Sequence, residues 1–97
     1  MKRRATLIYE DKALYPDGAI MEMRIWRLPA TDSERPHGLK YSLYFGRSGV
    51  RLVGYDNERG KGDHRHYGTV ETAYTFINVE QLIADFLADV QRLRQTP

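Results

Sequence analysis

The chain contains no cysteine, which removes disulfides, thiolate metal sites and cysteine nucleophiles together. Long apolar runs are missing as well. The basic start Met1-Lys2-Arg3-Arg4 leads into Ala5-Thr6-Leu7-Ile8-Tyr9 and stops at Glu10-Asp11-Lys12, too short for the apolar region of a signal peptide. No stretch approaches membrane-spanning length. The expectation is a soluble, cytoplasmic protein with no membrane partner. A large excess of one charge is also absent: the net charge is +2. The distribution is uneven, however, with thirteen Lys/Arg against nine Asp/Glu in 1–68 and two against four in 69–97. That permits a polyanionic partner without demanding one. Finally, 97 residues with 41% hydrophobic and 29% charged side chains give room for one domain over 1–97 with a modest core.

What is present falls into strands, turns and one helix. Residues 3–10 alternate weakly, as a first strand would. In Tyr15-Pro16-Asp17-Gly18, proline presets φ, aspartate can bond the following backbone and glycine accepts a left-handed conformation, so a turn is expected. Ala19 to Leu28 then alternates Met21, Met23 and Ile25 against Glu22, Arg24 and Trp26, the pattern of a strand in an antiparallel hairpin. Pro29 to Gly38 has almost no apolar content and is expected as a mobile surface loop. Lys40 to Phe45 is a further strand, with Tyr41, Leu43 and Phe45 on one face. A loop at Gly46-Arg47-Ser48-Gly49 leads into Val50 to Tyr55, with Val50 and Leu52 on one side and Arg51, Val53 and Tyr55 on the other. Thr69 to Phe76, rich in Thr, Tyr and Val, is expected as the last strand.

Asn78 is a good N-cap, and Gln81 three residues on completes a capping-box pattern. Val79, Leu82, Ile83, Phe86, Leu87, Val90 and Leu93 follow at helical spacing. A helix over about 79–94 would be roughly 24 Å long and cannot hide that stripe alone. The fold expected is therefore α+β: an antiparallel β-meander of about five strands with one C-terminal helix packed on one face. With Met21, Met23, Ile25, Tyr41, Leu43, Phe45, Val50 and Leu52 under the helix, the other face holds Arg24, Trp26, Lys40, Tyr44, Arg51 and Tyr55. A one-helix sheet leaves apolar area uncovered, which suits a homodimer or another obligate partner.

Between the core segments lies a polar stretch, Tyr55 to Gly68, rich in charge, glycine and histidine. His64 and His66 would project to one face of an extended chain, Cα atoms roughly 6.6 Å apart, with Arg65 opposite. Two chemistries suit such a pair. As metal ligands they would need a third donor from Asp56, Asp63 or His37. As a metal-free acid–base pair, one imidazole would take a proton from a ribose 2′-hydroxyl while the other protonates the leaving 5′-oxygen. Lys61 or Arg65 would then hold the phosphoryl charge, and Asp56 or Asp63 would orient an imidazole. The plainer account is two solvated histidines on a surface strand. Gly60-Lys61-Gly62 completes no phosphate-binding motif, no cofactor fingerprint occurs anywhere, and Asp56-Asn57 is by default a turn-forming pair. Trp26, Tyr44, Tyr55 and Tyr67 could stack bases while Arg24 and Lys40 track phosphates; equally, Trp26 could pack at a subunit interface.

The blocks Tyr55-Asp56-Asn57-Glu58 and Lys61-Gly62-Asp63-His64-Arg65-His66 resemble the TumE-type toxin components of bacterial and archaeal toxin–antitoxin pairs. Supporting marks are Met23-Arg24-Ile25-Trp26-Arg27-Leu28-Pro29, His37-Gly38-Leu39-Lys40-Tyr41 and Asp85-Phe86 in the final helix. The resemblance covers nearly the whole chain, least well over 11–18. It implies a short cytoplasmic toxin neutralised by a neighbouring antitoxin that carries a helix-turn-helix. Many toxins of such pairs cleave RNA. The leading expectation is thus a metal-independent ribonuclease using His64 and His66; the rival is a non-catalytic module that binds nucleic acid or the antitoxin, and a metallohydrolase is a weaker third reading.

Overall fold

The computed structural model describes residues 4–33, 35–57 and 62–95. Among them the chain forms strands β1 (Thr6–Leu14), β2 (Ile20–Arg27), β3 (Leu39–Arg47), β4 (Val50–Asp56), β5 (His64–Tyr67) and β6 (Val70–Ala73), then helix α1 (Val79–Gln95). The strands form one six-stranded sheet in sequence order, each antiparallel to the next. The α+β meander with a C-terminal helix is therefore as expected, with one strand more. That strand, β5, lies inside the polar stretch. The expected last strand shortens to β6, because Gly68 (φ 57°) and Thr69 turn the chain straight back from Tyr67 onto Val70.

Turn chemistry sets the register. Gly18 (φ 88°) closes the first hairpin, its N–H donating to Tyr15 O at 3.0 Å. Asp17 Oδ1 accepts from Ala19 N, a bond that holds its carboxyl below the usual range, with help from Arg47 and Arg94 against the opposing effect of burial. Ser48 (φ 54°) and Gly49 (φ 76°) make the two-residue β3–β4 turn with both central residues left-handed. The 29–38 loop is tied down more than its composition suggests. Leu28 N–H donates to Gly38 O at 2.8 Å, and Arg35, 8% exposed, is held by Asp32 through its backbone and guanidinium.

The helix lies on the face made by Met21, Met23, Ile25, Tyr41, Leu43, Phe45, Val53 and Tyr55, into which Leu82, Phe86 and Val90 are buried. Here β4 corrects the expectation. Val53 and Tyr55, not Val50, lie beneath the helix; Val50 is 59% exposed, and Leu52 is only partly buried against the core. A bulge breaks the expected alternation: Phe45 pairs with Val53 but Gly46 with Arg51, so Leu52 is the extra residue, and Val50, opposite Arg47, stands exposed at the start of the strand. Continuing the Leu52 phase would turn Gly54 and Asp56 under the helix, leaving a hole and burying a carboxylate.

Asn78 Oδ1 caps the helix, accepting from Gln81 N at 2.7 Å. The capping box is not completed, since the Gln81 side chain donates forward to Asp85 Oδ1 at 2.7 Å. At the far end of β4, Asn57 is fully buried. Its amide accepts from Tyr41 N (2.9 Å) and donates to Leu39 O (2.8 Å), extending the ladder by a side chain in place of backbone.

Candidate functional site

Strand alternation divides the polar segment between the two faces of the sheet. Arg65 and Tyr67 point toward α1, as Tyr55 and Val53 opposite them do. His64 and His66 point to the other, helix-free face. Asp56 lies directly across from His64, and Gly54 across from His66. His66 Nε2 is 3.3 Å from Asp56 Oδ2, and His64 Nδ1 is 3.1 Å from Glu71 Oε1 on β6. Two imidazoles from one strand thus stand side by side on the open face, each at ion-pairing distance from a carboxylate on a flanking strand. The His64 and His66 side chains are 23% and 13% exposed, so both sit in the surface layer and are not freely solvated.

The same face carries four of the six residues expected to bind substrate, Arg24, Trp26, Lys40 and Tyr44, but not Tyr55 or Tyr67. Glu22, Tyr44, Gly54, His66 and Glu71 form one cross-strand row; Arg24, Ser42, Asp56, His64 and Ala73 form the next; Trp26 and Lys40 lie beyond. Lys40 Nζ stands 5.3 Å over the Trp26 ring. Arg24 is engaged by Glu10 at 2.9 Å and Glu22 at 3.9 Å, so a phosphate there competes with two carboxylates. Tyr44 is on the open face, but Tyr55, expected beside it, is 1% exposed beneath the helix.

Asp63 serves a different histidine. It accepts from Tyr41 OH at 2.6 Å and from His37 Nε2 at 3.2 Å. Leu39 N–H donates to His37 Nδ1 at 3.2 Å, which assigns the ring proton to Nε2. Both nitrogens of His37 are therefore occupied within the fold, and its ring packs 4.1 Å from that of Phe76. Burial, and then the Asp63 carboxylate, push the Tyr41 phenol far above the usual range, so it stays a donor. Of the two carboxylates expected to orient an imidazole of the His64/His66 pair, the geometry favours Asp56. Lys61 lies outside the described residues.

On the helix face, one acid gathers the remaining candidates. Asp89, its side chain 6% exposed, accepts from Tyr55 OH, Tyr67 OH (2.7 Å), Arg65 Nη2 (3.1 Å) and Arg92 Nη2 (3.0 Å). The Arg65 guanidinium also stacks 4.3 Å over the Tyr67 ring. Burial and the Asp89 carboxylate raise the Tyr55 phenol; burial and Asp85 do the same to Tyr74, whose hydroxyl donates to Asp85 at 2.6 Å. Arg65, Tyr55 and Tyr67 thus fasten the helix to the sheet and stand on the opposite side from the two histidines. The sequence did carry a signal for Asp89: it sits seven residues after Leu82, on the buried row of the helix. Glu71 carried none, since its part depends on the β5–β6 register. Among the described residues no three His, Asp or Glu side chains converge in a manner suited to a metal ion.

A six-stranded antiparallel meander with one covering helix, bearing a histidine–carboxylate row on its uncovered face, is the class of domain these features define. The family model described as Toxin TumE matches residues 3–94, and the chain belongs to that family. A toxin of this kind implies a cognate antitoxin. No curated protein and no solved structure matches the chain. No helix among the described residues is long and apolar enough to cross a membrane.

Proposed function

We propose that this TumE-family toxin cleaves RNA on the open face of its sheet, with His64 and His66 transferring protons and no metal required. The observation that carries the reading is the pairing of His66 with Asp56 and of His64 with Glu71 across three neighbouring strands on one face of the sheet. Rings from alternate residues of a strand stand roughly 7 Å apart at their Cα atoms, a separation in which a phosphodiester fits between them. One imidazole accepts the 2′-hydroxyl proton as the 2′-oxygen attacks phosphorus; the other donates a proton to the departing 5′-oxygen, leaving a 2′,3′-cyclic phosphate. Asp56, 3.3 Å from the Nε2 of His66, orients that ring. The bound strand extends over Tyr44 and Arg24 toward Trp26 and Lys40, where a base stacks and phosphates meet cations. The toxin acts in the cytoplasm and is neutralised by an antitoxin carrying a helix-turn-helix.

The test is cleavage of RNA by purified protein in EDTA, with a bell-shaped pH profile near neutrality. His64→Ala and His66→Ala should each lower the rate by about 10²–10⁴. Undiminished cleavage by the doubly substituted protein would overturn the proposal. The stacked Lys40–Trp26 pair supports a second reading, in which the face binds nucleic acid without cutting it. In that case Trp26→Ala and Lys40→Ala weaken binding more than either histidine substitution, and no product forms.

A further inference from the structure

The open face needs a cation for the phosphate, and the arginine expected from the sequence, Arg65, is on the other side of the sheet bonded to Asp89. Building on the nuclease reading, we propose that Arg51 is the phosphate-binding residue of this site.

Three observations converge on it. First, Arg51 is exposed, and no carboxylate lies within ion-pairing distance of it among the described residues. Of the other cations of this face, Arg24 is held by Glu10 and Glu22, Lys12 lies 3.8 Å from Glu22 and Lys40 stands over Trp26. Second, the Arg51 stem crosses Gly54: a Cβ built on Gly54 would lie 2.8 Å from Arg51 Cδ and 3.6 Å from Nε. Gly54 is the cross-strand partner of both His66 and Tyr44. Val53 and Tyr55 on either side of it point under the helix, so this direction is the open face. The guanidinium is thereby carried alongside the histidine row.

Third, the Arg51 stem is the tightest neighbour at position 54, the Leu43 carbonyl oxygen following at 3.4 Å from the built Cβ. The φ of Gly54 is not among the positive values, the residue is paired on both sides in the middle of the sheet, and glycine weakens a strand interior. Close approach by another group is the ordinary reason for such a glycine, and here the approaching group is the Arg51 side chain. Gly54 leaves the space that lets an arginine from the start of β4 lie flat beside His66, where its planar fork can take two oxygens of one phosphate.

The test uses a fluorescent single-stranded 2′-O-methyl RNA oligonucleotide, which lacks the attacking hydroxyl and so reports binding without cleavage. Arg51→Gln should weaken binding about tenfold and flatten the salt dependence by about 0.7 in log–log slope, the value for one phosphate contact on a single strand. Arg51→Lys should recover part of the affinity. Gly54→Ala should behave like Arg51→Gln, because the new methyl displaces the arginine stem, while its urea midpoint stays equal or rises. Unchanged affinity and slope in Arg51→Gln, or no measurable RNA binding by the parent protein, would overturn the assignment. Arg51-dependent binding by a protein that leaves ordinary RNA uncut would sink the nuclease reading alone. Cleavage that is insensitive to Arg51 would sink this one alone.

Discussion

Tyr55 on β4 donates its phenolic proton to Asp89 on the helix, so the buried face of the strand and the buried row of the helix meet at a polar bond within an apolar core. Tyr67, Arg65 and Arg92 complete the acceptor's shell, which lets a carboxylate sit there at all. Asp89→Ala should leave two phenols and Arg65 without their acceptor. The two guanidinium groups are partly exposed and can regain water, so the expected loss is about 2–3 kcal/mol. Tyr55→Phe, which deletes one donor, should cost about 1–2 kcal/mol. Urea unfolding of the three proteins measures both.

The raised phenols give stability a dependence on alkaline pH. Tyr41, Tyr55 and Tyr74 each hold their proton more tightly folded than unfolded. Their contribution is complete below the unfolded tyrosine value of about 10. Above it the unfolded chain releases protons that the folded chain keeps, so stability falls as pH rises. Urea midpoints between about pH 8 and 11.5 should drop more steeply for the parent than for the triple Tyr→Phe protein. Equal slopes would contradict the assignment.

The three histidines should separate by what they lose. His37, bonded at both nitrogens and stacked on Phe76, should cost about 1–3 kcal/mol on change to alanine. His64→Ala and His66→Ala, on the open face of the sheet, should cost less stability and more activity. Paired chemical denaturation and RNA cleavage would show the crossover, and a His37→Ala protein of normal stability would refute it.

The phase of β4 can be checked with two lysines. Val50→Lys should change stability by no more than about 0.5 kcal/mol. Val53→Lys puts an ammonium under the helix and should cost about 3 kcal/mol or more. Thermal melts would reverse in order if the helix covered Val50 and left Val53 at the exposed end.

Strong periodicity explains which parts of this fold could be read from the amino acids. The α1 stripe and the Met21/Met23/Ile25 alternation each repeat often enough to fix an element and its buried face. At β4 both alternating sets contain apolar residues, and a bulge between Phe45 and Gly46 lies below the resolution of any periodic pattern. β5 was hidden because polar residues line both of its faces: histidines outward, and an arginine inward that is acceptable only because Asp89 awaits it. The His64/His66 pair was legible from spacing alone and Asp56 was one of two carboxylates offered for it, whereas the choice of Asp56 over Asp63, and Glu71 altogether, follow from strand register. Arg51 was visible as a basic residue of the open face, but its bearing on His66 depends on how it crosses Gly54.

Among the described residues, every strand of the sheet pairs only with its neighbour in the chain. Assembly can therefore proceed hairpin by hairpin, each closing a short loop at small entropic cost before the next is made. Such a sheet does not wait for remote segments to find one another, and refolding from denaturant should run faster than in a sandwich of similar size.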